Sequence, residues 1–570
     1  MSTRSPSPRA VSGLLALALV ASAFTTSVAQ QSPLRPGQTP GPRFIMPALH
    51  GVGDGPKLGF QVANAVRERI ASDFDMRALW VVPESTITAY LEQAGYPADQ
   101  PLSHAETRQL ATSFRAEELL DGTVSKTDSG YRVKAAWSLG ARDDMVQPLP
   151  VVEAAKISDV AKLVAREFQA ARKQVDAVQR CINLARARNY AGALAEARKA
   201  IDAYPRSVIG RVCVANVFAQ QKLGPDSMLR VTDEILSIHP ENARALAFAA
   251  DAFGEKKRVE DQMRMLDRLI RVEPSNTAAW LALIRLRADR GDVTGARGLA
   301  DSLLVLEPIN REVLDLSVRL AAAAKAWDAV LSLGDRLTDV DSSAATRDYF
   351  VTMIAAASAL EDDRKALDLA TRGVGKFPQD DELAVLRAQY LRRLGQLTQA
   401  RAVIDGVVGR NPRALNAWTQ KARIDAELKS PSDTLLASLG HALEAGDDRG
   451  TIAIAARSFG IAASRDSAAG PFVPMRTALR YLKLGASAQA NDTTSFLIGR
   501  MSVVLGQRLA TAPPATKTCD VAREMQAITI DAQVELPKGG RAFPVETPPL
   551  ITAASQISAY ADQLAKAVCH

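Results

Sequence analysis

Chemistry-bearing motifs are scarce in this chain. Histidine occurs only 5 times in 570 residues, at His50, His104, His239, His441 and His570, and none lies within helical reach of another. An H-E-x-x-H metal helix is therefore excluded. The sequence also lacks a G-x-S-x-G nucleophile elbow and a G-x-x-x-x-G-K-[ST] phosphate loop. The glycine cluster "GVGDGPK" has Pro56 where the third glycine of a dinucleotide fingerprint would stand, so it reads as a strand-to-helix turn. The acidic pairs Asp143/Asp144 and Asp447/Asp448 sit in polar turns without the apolar surroundings that would split their pKa values. No catalytic, cofactor-binding or metal-binding residue is expected. Cysteine is limited to Cys181, Cys213, Cys519 and Cys569, with no CxxC or CxxH among them, which argues against zinc.

Aromatic residues make up only 5% of the chain, while 47% is hydrophobic and 23% charged. Alanine and leucine carry the hydrophobic share, a bias toward closely packed helices, and the composition is not that of a disordered protein. The formal charge of +7 is small for this length. Basic and acidic residues are mixed, as in "DDRKALDLATR", so no nucleic-acid surface is indicated.

The start is the place where an apolar run does occur. Arg4 and Arg9 precede a run from Val11 to Phe24, followed by "TTSVAQQ" with small residues at Ser27 and Ala29. This predicts a secretory signal peptide, residues 1–29, cleaved after Ala29. The run is shorter than the ~20 residues of a spanning helix, and no lipid-anchor cysteine follows it. Nothing later is long and apolar enough to span a membrane, so a periplasmic or secreted location is expected. Such a compartment favours disulfides.

Residues 30–42, "QQSPLRPGQTPGP", read as a flexible leader. Beyond them "RFIMPAL" and "ALWVVP" are strand candidates. "PKLGFQVANAVRERIASDF" has helical spacing at Leu58, Val62, Val66 and Ile70. "STITAYLEQAG" is helical, and Ser103 with Glu106 forms a capping box for another helix. "AEELLDGTVSKT" and "YRVKAAWSL" read as a hairpin, and "ISDVAKLVAREFQAAR" as a closing helix. The order β, α, β, α, α, β, β, α predicts a small α/β sandwich over residues 43–174. "LGFQVANAVRERIA", "LWVVPESTITAYLEQAG" and "AEELLDGTVSKTDSGYRVKAAW" resemble the TolB-like domain that precedes repeats in bacterial envelope proteins. Glu117 and Glu118 stand where that family's "ADxLLxGxV" has aspartate.

Prolines then mark a period. Pro205, Pro240, Pro274 and Pro308 are separated by 35, 34 and 34 residues, and Pro378 and Pro412 by 34. Such a period signals stacked units. Units starting near 174, 209, 243, 277, 311, 347, 381 and 415 put Ala193, Ala197, Ala200, Ala296, Ala300, Ala366, Ala370 and Ala400 at the helix-crossing places. They also put Trp280, Phe350 and Trp418 at the bulky fourth place. The pattern resembles the tetratricopeptide (TPR) family. The fold expected is mainly α, a TPR-type helical-hairpin solenoid over 174–428 preceded by a small α/β domain. Met228 and Thr232 replace alanines in the second unit, and the fifth lacks both proline and alanines, so irregularity is expected there.

Helical spacing without the period continues through 429–512, read as diverged helical repeats. Residues 513–570 read as a helical hairpin, with "PKGGRAFPVETPP" as its loop. Cys181 and Cys213 fall on first helices of adjacent units, and Cys519 and Cys569 at the outer ends of the hairpin. The pairing expected is 181 with 213 and 519 with 569; two buried free thiols in the repeats are the alternative.

By the resemblance, certain first-helix positions line the concave TPR groove. They select Arg244 and Asp251, then Arg285 and Asp289, then Asp315 and Arg319, and finally Gln389, Arg392 and Arg393, which together make a polar groove of both signs. Val178, Ile182, Cys213 and Val217 occupy the places of a chaperone-tail clamp, so that ligand is not expected. The reading is a non-enzymatic scaffold for a protein or peptide partner in the cell envelope, without cofactor. The alternative is a small-ligand receptor or enzyme with its site in the amino-terminal α/β domain.

Overall fold

The computed structural model describes residues 39–53, 55–140 and 145–569, in two compact units, one ending at Leu286 and the other beginning at Arg287. The signal-like start and Asp143/Asp144 lie outside the described residues.

The first unit opens with β1 (Arg43–Ile45), β2 (His50–Val52), α1 (Pro56–Asp73), β3 (Trp80–Val81), α2 (Glu84–Gln93) and α3 (His104–Ser113). There follow β4 (Glu118–Thr127), β5 (Gly130–Leu139), β6 (Val146–Pro148), β7 (Val152–Ala154) and α4 (Ile157–Arg172). The expected order is present with three additional short strands, β2, β6 and β7. In the sheet, β1 lies parallel between β3 and β4, β4 and β5 form the antiparallel hairpin, and β2 adds to β4. Strand alternation sends Phe44 to one face, with Val62, Val66, Trp137 and Phe168 of the α1/α4 layer. Ile45 goes to the other, with Ile87, Leu91 and Leu110 of the α2/α3 layer. Helices thus cover both faces. Gly122 sits where a Cβ would lie 2.2 Å from the Lys134 carbonyl oxygen, so the hairpin crossing admits only glycine. The "GVGDGPK" cluster is the expected turn: Gly53 and Gly55 have φ of 87° and 79°, and Pro56 opens α1. Buried Glu118 accepts from Arg172 Nη2 at 2.7 Å and from Trp137 Nε1 at 3.0 Å, tying α4 to the sheet.

Helices then follow two by two along the chain. They are α5 (Val175–Arg186) with α6 (Tyr190–Ala203), α7 (Val208–Gln221) with α8 (Pro225–Ile238), α9 (Ala243–Glu255) with α10 (Val259–Val272), and α11 (Thr277–Asp289) followed by α12 (Val293–Leu306). Next come α13 (Arg311–Ala323) with α14 (Trp327–Val340), α15 (Arg347–Ala359) with α16 (Asp363–Lys376), α17 (Asp381–Arg393) with α18 (Leu397–Arg410), and α19 (Ala417–Glu427) with α20 (Ser432–Ala445). The unit boundary falls within α11.

The punctuation has a two-part mechanism. Each proline follows a second helix, which its missing N–H and ring cannot prolong, and, except after Pro412, the residue two places on caps the next helix. Ser207 accepts from Gly210 N, Asn242 from Ala245 N, Asn276 from Ala279 N, Asn310 from Val313 N and Asp380 from Leu383 N. The turn inside each hairpin carries one left-handed residue: Arg188, Lys222, Lys257, Gly291, Lys325, Glu361, Gly395 and Lys429.

The fifth unit is regular, contrary to expectation. Asp341 accepts from Ser343 N and closes a 3-10 turn, Ser342–Ala344, where the proline is missing. Gly334 takes the small-residue place, since a Cβ there would lie 2.4 Å from Met353 Sδ. The second unit is also a full hairpin, with Met228 and Thr232 buried where alanines were expected. The array runs beyond Leu428 as well, because α20 completes the eighth hairpin.

Beyond it lie α21 (Arg449–Ser464), α22 (Val473–Ala488), α23 (Asp492–Ala510), α24 (Cys519–Gly539) and α25 (Thr547–Val568). The last loop is shorter than expected, since α24 continues through Pro537 and α25 starts before Pro548 and Pro549. Pro548 and Pro549 lie in the first turn of α25, where a missing N–H costs little. Met525, Ile528 and Leu536 of α24 and Ile557 of α25 share a core with Val503 and Leu509 of α23. Cys181 is bonded to Cys213, Cα atoms 6.6 Å apart, and Cys519 to Cys569, 4.8 Å apart. Among the described residues no helix is long and apolar enough to cross a membrane.

Candidate functional site

The first-helix positions picked for charge are mostly engaged within the chain. On α9, Arg244 Nη2 donates to Asn216 Oδ1 of α7 at 2.9 Å, and its guanidinium lies over the Phe248 ring at 4.9 Å. Asp251, farther along α9, has its pKa raised by burial and then by the Glu255 charge. Arg285 lies on α11 in the first unit, and Asp289 on α11 in the second. Asp315 and Arg319 pair with each other one turn apart on α13.

Arg392 and Arg393 do not act on one partner. Successive helical residues point about 100° apart, and the two guanidinium groups go to different neighbours. Arg392 pairs with Glu427 on α19. Arg393 Nε meets Asp363 Oδ2 at 3.0 Å, at the start of α16, and its guanidinium lies 5.7 Å from the Tyr390 ring centre. Gln389 Oε1 accepts from Gln420 Nε2 at 3.3 Å.

The uniformly polar groove is also corrected. Between α15 and α17 is a pocket of about 400 Å³ lined by Val351, Ile354, Ala355, Ala359, Leu386 and Tyr390. Ser358 and Glu382 complete its wall, and Glu382 pairs with Arg347. Val351, Ala355, Ser358 and Ala359 occupy the same groove positions from which the charged candidates were drawn. The signal was available in the sequence; apolar side chains at those places were passed over.

Arg423 was missed as well. It is half-buried on α19, and its pKa is lowered first by burial and then by the positive charge of Arg392. The eighth unit's ninth position, which the family pattern assigns to the groove, is this residue. One flank of α17 thus presents Leu386 and Tyr390 to the pocket, and the other presents Gln389 and Arg392 toward α19. Arg347 on α15, beside the cap residue Asp380 and Glu382 of α17, has its own pKa raised by hydrogen bonds to Asp348 and Asp380.

In the α/β domain the half-buried carboxylate of Asp121 accepts from Gly122 N at 2.6 Å. Burial raises its pKa, offset in part by that hydrogen bond and by His50, His104 and Arg108. A second cavity, about 370 Å³, lies on the outer face of α1 and α4 and is lined by Arg69, Asp73, Lys162 and Arg166.

No protein-family model matches the chain, and no curated protein is significantly similar to it. Solved structures do match. One is YrrB, described as a TPR protein with an unusual peptide-binding site, at 18% identity over 32% of this chain and 93% of that one, with a TM-score of 0.28. Another is Naa15/Naa10 bound to HypK-THB, at 12% identity over 67% of this chain and 65% of that one, TM-score 0.37. A third is PilF of Pseudomonas aeruginosa, at 16% identity over 40% of this chain and 99% of that one, TM-score 0.27. With hairpins recurring at the proline period, each turned through one left-handed residue and most capped two residues past a proline, the fold is mainly α, of TPR-type helical hairpins behind a small α/β domain.

Proposed function

We propose that this protein is an exported, non-enzymatic scaffold of the cell envelope, with a TolB-like amino-terminal domain and a first-helix groove that holds a segment of a protein partner. The observation that carries the reading is the apolar pocket between α15 and α17, bordered by the Arg347–Glu382 and Arg392–Glu427 pairs. Apolar side chains left open between two first helices, with polar groups at the rim, suit the anchoring of a side chain from an extended segment. Two disulfides and a signal-like start support export.

A photo-crosslinking residue at Ala355, introduced in the native host, tests it. Crosslinks to one defined protein are expected from position 355 and not from position 368, on the exposed part of α16. Equal labelling at both positions would reject the groove. The alternative, a small-ligand site in the α/β domain, rests on Asp121 with His50 and His104. Saturable small-molecule binding lost in Asp121→Asn would favour it.

A further inference from the structure

α24 is apolar on two faces, and among the described residues one of them lies open. Met525, Ile528, Ala532 and Leu536 are buried in the core shared with α23 and α25. Ala527, Ile530, Val534 and Pro537 recur at steps of three, four and three residues, which makes one stripe along the helix. All four are exposed, Ile530 at 60% and Val534 at 50%. The stripe continues onto α25. Gln526 Nε2 donates to Asp562 Oδ1 at 2.7 Å across the antiparallel pair, so Pro537, farther along α24, comes level with exposed Ile551. A helix apolar on both faces needs cover on both.

The rim of the stripe shows what that cover is. Glu524, Asp531 and Lys538 follow one side of it, and each is already paired within the chain: Glu524 with Arg476 at 2.5 Å, Asp531 with Lys483 at 2.5 Å and Lys538 with Glu535 at 2.6 Å. The uncharged Gln526 and Gln533 follow the other side. Glu524 and Lys538 therefore stand at opposite ends of one side, with opposite charge. A second α24 laid antiparallel, its two-fold axis passing between Ile530 and Val534, sets Ile530 against Val534 of the second copy and Ala527 against its Pro537. The same placement brings Glu524 beside Lys538 of the second copy. A parallel placement sets each charge against its own like.

We propose that the Ala527–Ile530–Val534–Pro537 stripe is a homodimer surface, on which two copies of this chain pack α24 antiparallel about a two-fold axis. A two-fold contact requires a surface that is its own complement, and an apolar stripe with opposite charges at its two ends is one. The stripe is about 15 Å long, so the contact lies at the low end of specific interface sizes, and association in the micromolar range is expected. The contact is independent of what the α15/α17 groove holds. Two copies joined there offer two such grooves to one partner.

Sedimentation velocity on the full chain, purified from its native host, should show the mass rising from one copy to two as concentration passes through the micromolar range. Ile530→Glu should weaken association by about a hundredfold, because it buries a carboxylate against Val534 of the second copy. Circular dichroism and melting temperature of the single chain should not change, and Ala527→Glu, on the same stripe, should act alike. Single cysteines report the orientation, since the native four are disulfide-bonded. Mixed Ile530→Cys and Val534→Cys chains should form the 530–534 link faster than either chain links to itself. A chain that stays single throughout, or a dimer that survives both Ile530→Glu and Ala527→Glu, overturns the surface. Faster 530–530 linkage overturns the antiparallel packing and the proposal with it. If a photo-crosslinking residue at 530 labels a different protein in the native host and never a second copy, the stripe belongs to that protein and the proposal fails.

Discussion

Asp447, in the turn after α20, caps α19 from outside that helix: its Oδ2 accepts from the Thr419 hydroxyl at 2.6 Å and from Thr419 N at 3.2 Å. Its Oδ1 accepts from Asn416 N at 2.6 Å. Pro412 is followed two places on by Ala414, which has no side-chain acceptor, and the carboxylate of Asp447 fills the missing role. The sequence reading of Asp447 as a polar-turn residue is corrected, since it is buried at 3% exposure. Removing an ordinary cap such as Asn242 should cost about 1 kcal/mol. Asp447→Ala leaves several donors unmet and should cost about 2–3 kcal/mol, read by urea unfolding. Equal losses at the two sites would refute the bridging role.

Asp121 gives a pH prediction. Its folded pKa is raised by burial, so the native state keeps the proton at a pH where the unfolded chain, with a pKa of about 3.9, has lost it. The native state binds more protons in that window, so stability falls as pH rises through it. The contribution is fully present below the unfolded pKa and is lost once pH passes the folded value. Asp121→Asn should flatten this slope and be at least as stable as wild type at pH 7, with no advantage near pH 4. Melting temperatures across that range decide it, and clear destabilisation at pH 7 would show that the carboxylate is held for another reason.

The Cys181–Cys213 bond links two first helices whose cysteines are 32 residues apart. Loop-closure entropy gives about 3–4 kcal/mol for such a bridge. Both residues are buried, at 0% and 3% exposure, so Cys181→Ala with Cys213→Ala should lower stability by that amount plus a small packing loss. Non-reducing peptide mapping should find 181 joined to 213 and 519 joined to 569. A 181 to 519 peptide would contradict the arrangement.

The repeat was legible because proline and alanine mark local necessities: where a helix must stop, and where two must touch. Legibility failed where another chemistry met the same need. Asp341 and Gly334 stand in for the fifth unit's proline and alanine, and Asp447 stands in for the eighth unit's cap. The strands β2, β6 and β7, each 3 residues long, are too short to show a period and owe their existence to pairing with β4 and β5. The groove was located by position, but its chemistry was read from charge alone. That emphasis selected Arg392 and Arg393, which have partners, over Ala355 and Arg423, whose exposure or lack of a partner depends on side chains from other units.

The hairpin turns supply a stability test that is independent of function. Lys222, Lys257, Lys325 and Lys429 adopt φ between 53° and 58°, while the equivalent places in two other units are Gly291 and Gly395. Left-handed backbone costs a residue with a Cβ about 1–2 kcal/mol, and glycine removes that cost while adding unfolded-state entropy of about 0.5–1 kcal/mol. The balance predicts that Lys257→Gly stabilises by about 0.5–1 kcal/mol, and that Gly395→Ala destabilises by a comparable amount. No contact is needed for either change, because a Cβ at Gly395 would meet nothing within 4 Å. Equilibrium urea unfolding of the two variants checks the sign directly. If Lys257→Gly destabilises, the lysine side chain contributes packing that outweighs its backbone strain, and the turns cannot be treated as interchangeable.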